Sequence, residues 1–264
     1  MAGWRTGGAA LAVALAFAGP SAAAEGGAPP ARPAAEDVQR GEEAYAHGDL
    51  NAAKGYFEEA ANRSSRNFTA LQWLSRVESD LGESARGEEQ RRLFSSAVEH
   101  ARAAVTAAPD SGRGHLALAA ALGRQALREG PKTRLALSRE VKAEADRAIT
   151  LDPTLGRAYH VRALWNRKIA SLSFIERTAA SAVLGGVPKG ASMENAVADL
   201  EKAIALEPDY VNHHLELGRT FFQLKRDDEG RKELERAIAL PATSSPRDSI
   251  YQADARELLR RKTK

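Results

Sequence analysis

Ala196 to Pro241 reads AVADLEKAIALEPDYVNHHLELGRTFFQLKRDDEGRKELERAIALP, and this stretch decides the fold. Two copies of one helix ending, DLEKAIALEP and ELERAIALP, stand on either side of a helix that carries Leu217, Gly218 and Phe221. Pro208 and Pro241 are 33 residues apart. Self-similarity at such a period marks units that cannot bury an apolar face alone and therefore stack. Counting back twelve, eight and five residues from Pro109 gives Ala97, Ala101 and Ala104. The same offsets give Val141, Ala145 and Ala148 before Pro153, and Ala196, Leu200 and Ala203 before Pro208. Each proline stops one helix and starts the next, because it cannot donate the hydrogen bond that a continuing helix needs.

This period, with small residues at fixed places in each helix, resembles the tetratricopeptide repeat, a two-helix unit that stacks into a solenoid. The resemblance implies an all-α, right-handed superhelical solenoid of about five helix pairs with a C-terminal capping helix. Composition agrees on helix, since Ala, Leu, Glu and Arg dominate while β-branched and aromatic residues are few.

Ahead of the repeats, Arg5 precedes an apolar run from Gly8 to Ala18, then Gly19-Pro20 and the triplet Ala22-Ala23-Ala24. That order of charge, short apolar core and small-residue site predicts a secretory signal peptide over residues 1–24. The run falls short of the ~20 residues a spanning helix needs, so no stable membrane insertion is expected after cleavage. The chain is expected to be exported, to the periplasm of a bacterium, with secretion as the alternative. Residues 25–35 (EGGAPPARPAA) read as a disordered leader, and the repeat domain as residues 36–264.

In the first pair, Gly41 and Ala44 lie on a helix ending near His47-Gly48-Asp49, and Ala53, Phe57 and Ala60 lie on the next. Helices approach closely only where a side chain is small, so this placement is a packing requirement. Phe68, Leu71, Trp73, Leu74, Val77 and Leu81 form an apolar face that Gly82 is expected to end. The polar connector ESARGEEQ then leads to a helix from about Arg91 to Ala108. Lengthened repeats are expected at about residues 82–153 and 154–208. In the first, REGPKT precedes an extended second helix. In the second, the first helix is expected to continue through Trp165 and Ile169 into SFIERTAASAVLGG, breaking at Gly185-Gly186 and Pro188. A last helix from Asp248 to about Arg261, striped with Tyr251, Ala255, Leu258 and Leu259, suits a terminal cap.

Phe174-Ile175-Glu176-Arg177, Gly185-Gly186-Val187-Pro188 and His213 to Arg219 (HHLELGR) narrow the resemblance. Together with ALP and a capping helix they look like the regulator-of-microtubule-dynamics family and its bacterial tetratricopeptide relatives. The match is best over about Arg113 to Leu259. Eukaryotic members are linked to microtubules or organelle membranes, but an exported chain would meet no microtubules. The resemblance therefore implies the fold and no catalytic residues.

Function is expected on the first helices, which line the concave groove in tetratricopeptide arrays. Four, seven, eleven, fourteen and fifteen residues after Pro153 come Arg157, His160, Leu164, Arg167 and Lys168, which share one helix face. The same offsets after Pro109 include Arg113 and Arg124, and after Pro208 they include Asn212 and Arg219. A basic groove with apolar sockets suits an acidic peptide or a free carboxylate, because guanidinium groups pair with carboxylates in two-pronged geometry. The competing reading makes these charges the solvated side of helices, some of them paired with acids next door. Self-association, or bridging of envelope components, is the alternative function.

Several classes are excluded or unsupported. The chain has no cysteine, which removes disulfides, thiolate metal sites and cysteine nucleophiles. A net charge of +3, from 38 Lys and Arg against 35 Asp and Glu, argues for no nucleic-acid partner. His213 and His214 point about 100° apart on a helix and cannot easily share a metal. His214, His115 and Tyr159 each fall six residues after a proline, which marks a packing position. GGVPKG lacks the Gly-Lys-Ser/Thr ending of a phosphate loop, and no G-x-S-x-G elbow occurs. Glu176 and Arg177 read as a buried structural pair, or as an arginine reaching the groove. No enzyme, cofactor or metal is expected.

Overall fold

The computed structural model describes residues 33–184 and 186–262. The expected signal segment, residues 25–32 of the leader, and Gly185 lie outside the described residues. The unit of residues 32–264 is built of helices, with no strand among the described residues. The first two pairs are α1 (Ala34–Ala46) with α2 (Leu50–Arg63), and α3 (Phe68–Ser84) with α4 (Gly87–Ala107). Then come α5 (Gly112–Ala126) with α6 (Pro131–Leu151), and α7 (Gly156–Ala170) with α9 (Met193–Leu206). Between these last two lies α8 (Phe174–Leu184). The array closes with α10 (Val211–Gln223) paired to α11 (Asp227–Ala239), and with α12 (Asp248–Lys262) against both. This is the expected helical repeat solenoid of five pairs with a terminal cap.

Small residues set each pairing. A methyl group at Gly41 would sit 2.5 Å from the ring of Phe57, and one at Gly82 would sit 2.5 Å from Phe94. A methyl at Gly218 would lie 2.8 Å from Leu234 and 3.0 Å from the carbonyl oxygen of Gly230. The prolines' register residues Ala97, Ala101, Ala104, Val141, Ala145, Ala148, Ala196, Leu200 and Ala203 are all buried. Burying Phe57 completely contributes about 1.5–3 kcal/mol, available only because Gly41 leaves room for its ring. Apolar clusters follow one another along the stack, from Tyr45, Phe57 and Leu74 to Leu215, Leu234 and Tyr251.

The position six residues after each proline is a polar tie as well as a packing site. The Pro109 carbonyl accepts from His115 Nε2 (2.9 Å), and the Pro208 carbonyl from His214 Nε2 (3.0 Å). Their Nδ1 atoms meet Glu144 on α6 (2.5 Å) and Glu233 on α11 (2.8 Å), joining first helix to second. Tyr159 donates to the Pro153 carbonyl at 3.3 Å.

The elements differ from the expectation at three places. Helix α1 begins at Ala34, two residues inside the expected leader. Helix α3 passes Gly82 to Ser84, and α4 begins at Gly87, so GEEQ is a first helical turn whose Glu88 and Glu89 suit the positive helix end. The third difference is that α7 stops at Ala170. Ser173 and Glu176 form a capping box: Ser173 Oγ accepts from Glu176 N (3.3 Å), and Glu176 Oε2 accepts from Ser173 N (2.8 Å). Arg177 completes the break by donating to the carbonyls of Ile169, Ala170 and Leu172 at 2.7–3.1 Å. Glu176 and Arg177 are therefore two caps of a helix junction and not a buried pair.

Between α7 and α10, His160 Nδ1 and His213 Nδ1 lie 2.9 Å apart in a buried contact. Two charged imidazoles cannot share that bond. Burial pushes His160 well below its ordinary range, helped by His213, Arg167 and Arg124. Burial also lowers His213, with Glu207 partly opposing. Below about pH 6.5 these two groups thus hold fewer protons in the folded than in the unfolded chain, so the stability they contribute falls as pH falls through that range.

Ala at Gly123, which has open space beside it, should stabilise by about 0.5–1 kcal/mol, whereas Gly218→Ala should destabilise by about 1 kcal/mol. Urea unfolding compares them, and a gain in both would contradict the close approach at Gly218. Lowering the pH from 7 to 5.5 should reduce the urea midpoint, and His213→Gln should flatten that slope by up to about 1.4 kcal/mol per pH unit. An unchanged slope would contradict the neutral histidine pair.

Candidate functional site

First helices touch in succession, α1 on α3, α3 on α5, α5 on α7 and α7 on α10, while second helices pack mainly on the first helices beside them. An array with its close contacts on one side curves toward that side, so the first helices form the inner wall. At its far end the linker before α12 returns to α3, where Asp80 O accepts from Arg247 Nη1 (3.3 Å) and Glu83 pairs with Arg247 Nη2 (2.6 Å). The result is a cleft of about 1710 Å³ lined by α3, α5, α7, α10 and α12, with residues of α6, α8 and α1 completing the wall.

All nine residues singled out from the sequence line this cleft: Arg113, Arg124, Arg157, His160, Leu164, Arg167, Lys168, Asn212 and Arg219. They do not make it uniformly basic. Ten Lys and Arg stand on its walls against eight Asp and Glu. Arg157 pairs with Glu207 (3.2 Å), Arg167 with Glu216, and Arg219 with Glu216 (2.5 Å) and Asp254 (2.8 Å). Arg124 holds Glu83 at 2.6 Å, and although burial opposes its charge, Glu83 and Asp80 more than restore it. His160 is 6 % exposed and kept neutral, so it adds no positive charge. The expected basic face is thus largely a set of ion pairs between neighbouring helices, placed there because a buried arginine needs a carboxylate beside it.

Some cations stand apart from this neutralisation. Arg113 and Lys168 are exposed and, among the described residues, have no carboxylate within ion-pair distance, although Asp152 and Glu176 act on them from further off. Apolar sockets lie between the charges, formed by Leu116, Leu164, Val161 and Leu172. Trp165 is core, with Nε1 donating to Ser138 O (2.7 Å). Trp73 stacks on Phe57 with ring centroids 5.4 Å apart while still facing the cleft.

The competing reading foresaw acids beside these charges without naming any, and α3 was not foreseen as a wall of the cleft. Glu216 stands three residues before Arg219, a spacing that puts both on one helix face and could have revealed the pair. No proline precedes α3 to set its register, so its cleft residues, Arg76, Asp80 and Glu83, had no offset to mark them. Among the described residues there is no group of three or more His, Asp or Glu placed to hold a metal, and no helix long and apolar enough to cross a membrane.

Known proteins share both the sequence pattern and the stacked helices. The family described as Regulator of microtubule dynamics protein 1-3 matches residues 37–264. Regulator of microtubule dynamics protein 1 of Caenorhabditis elegans is 35% identical over 121 residues, 46% of this chain and 53% of its own length. Protein 1 of Bos taurus is 27% identical over 201 residues, covering 75% of this chain and 63% of its own length. The matched region is therefore less than two thirds of either relative. Among solved structures, a thermophilic tetratricopeptide protein of Thermus thermophilus superimposes with a TM-score of 0.63 at 21% identity, over 86% of this chain and 98% of that one. PilW, a type IV pilus biogenesis factor, gives 0.54 at 19% identity, over 86% and 90%. These structures share the fold. The extent of the family match, nearly the whole described unit, places this chain in the Regulator of microtubule dynamics protein 1-3 family.

Proposed function

We propose that the chain is a non-catalytic scaffold that holds an acidic or carboxylate-bearing peptide segment in its cleft. The observation that carries this reading is the cleft itself, a curved wall of first helices with apolar sockets between cations that exceed the acids ten to eight. Partner side chains in the sockets would supply affinity, and charge pairing would set register and association rate. Because the paired arginines are already neutralised, the attraction rests on the cations without carboxylate partners. The signal-like N-terminus supports export, with the periplasm as the proposed location. The relatives' names record a role in microtubule dynamics, which an exported chain could not exercise, so that role is not carried over.

A second reading, assembly through self-association, is favoured by one observation. Helix α8 leaves Phe174 and Ile175 82% and 78% exposed, an apolar face left open among the described residues. Sedimentation of the full chain across concentration separates the two readings, since a peptide receptor can remain a monomer.

The charge test belongs at Arg113 and Lys168 and not at Arg157 or Arg167, whose reversal would set Glu against Glu207 or Glu216. The double variant Arg113→Glu, Lys168→Glu should reduce capture of proteins from an envelope extract by about tenfold, with unchanged helicity. Raising salt should weaken wild-type capture in parallel. Capture indifferent to both changes would defeat the electrostatic reading.

A further inference from the structure

The arginines of the inner wall differ in one respect that the repeat offsets did not anticipate. Arg124, Arg157, Arg167, Arg219 and Arg247 each hold a carboxylate of this chain. Arg76 on α3 also lines the cleft, yet among the described residues no carboxylate lies within ion-pair distance of it. Its guanidinium is nonetheless fixed. Nε donates to Tyr45 Oη at 2.7 Å, and the group lies over the rings of Tyr45 and Trp73, 5.0 and 5.6 Å from their centroids. Tyr45 in turn donates to Asp80 Oδ2 at 2.8 Å, so Asp80 is bonded to the phenol and bears on Arg76 by charge without an ion-pair contact. Asp248, whose charge also interacts with Arg76, accepts from the backbone N–H groups of Ser244 and Ser245 through Oδ2, while its Oδ1 is buried with no hydrogen-bond partner among the described residues. With Nε used and Cζ held beside both rings, the two Nη groups remain for an incoming anion.

We infer that Arg76 is the anchoring site for a carboxylate of the segment the cleft holds. The carboxylate comes from an acidic side chain or from the segment's own C-terminus. A partly buried guanidinium whose orientation is already set loses little freedom on pairing, and its two parallel N–H bonds match the two carboxylate oxygens. Arg113 and Lys168, exposed and hydrated, attract anions but do not select their shape. This inference rests on the peptide-binding reading above and narrows it to one contact.

The test uses the full chain on an array of decapeptides of Leu, Ala and Glu. Each is made with free and amidated C-termini, and again with Gln for Glu. Wild type should retain carboxylate-bearing peptides, and Arg76→Gln should weaken that retention by about tenfold to a hundredfold. Arg76→Lys should recover only part of the loss, because an ammonium has no fork. Loss on amidation alone assigns the C-terminus, and loss on Gln replacement assigns the side chain. Equal retention by wild type and Arg76→Gln would overturn the anchor while leaving the cleft as a peptide site. No retention of any peptide by wild type would overturn both. Should Arg76→Gln fail to fold, the Arg76 Nε–H resonance of wild type decides: a shift on adding a retained peptide supports the anchor, and an unmoved signal overturns it.

Discussion

A helix pair in this protein can close only where one partner lacks a side chain, and the rest of the architecture depends on that constraint. Gly41 admits the ring of Phe57, Gly82 admits Phe94, and Gly218 lies against Gly230 and Leu234. Dense packing of this kind fixes the distance and direction of each pair, because a well-filled interior leaves few alternatives. Once the pairs are fixed, contacts between successive first helices curve the stack, and the curvature creates the cleft. The histidine ties from Pro109 to Glu144 and from Pro208 to Glu233 hold the same geometry by polar means.

Curvature brings many arginines together on a concave surface, which would be unfavourable if they stayed unpaired. Neighbouring helices answer with acids: Glu207, Glu216, Asp254 and Glu83 each meet an arginine from another element. These pairs stitch the inner wall and carry α12 back to α3 through Arg247. The wall's remaining capacity for an anion is thereby concentrated in a few positions and not spread along it. Tyr210, which also lines the cleft, has its phenol pushed up to about 12 by burial, so it stays neutral there at physiological pH.

The repeat was legible because stacking imposes a period on small residues and prolines, and both survive as letters at fixed offsets. The same offsets found the inner face, since Arg113, Arg157 and Asn212 follow their prolines by the same four residues and all line the cleft. Pairing itself was an open reading, but which acid meets which arginine was not legible, because Arg157 and Glu207 are distant in sequence and meet only through the packing of the folded chain. The junction at Ser173 was written in the sequence as Ser-x-x-Glu, but the apolar run after it suggested an unbroken helix. Arg76 lies in the pair with no leading proline, and its clamp by Tyr45 and Trp73 exists only in three dimensions.

The central claim is that the first helices form one inward wall for a guest. Amide hydrogen exchange of the full chain, with and without a retained acidic decapeptide, tests it most directly. Slowed exchange concentrated in α3, α5, α7 and α10 is the predicted result. Slowing confined to α4, α9 and α11, which contribute no lining residue, would place the guest on the outer surface and contradict the account.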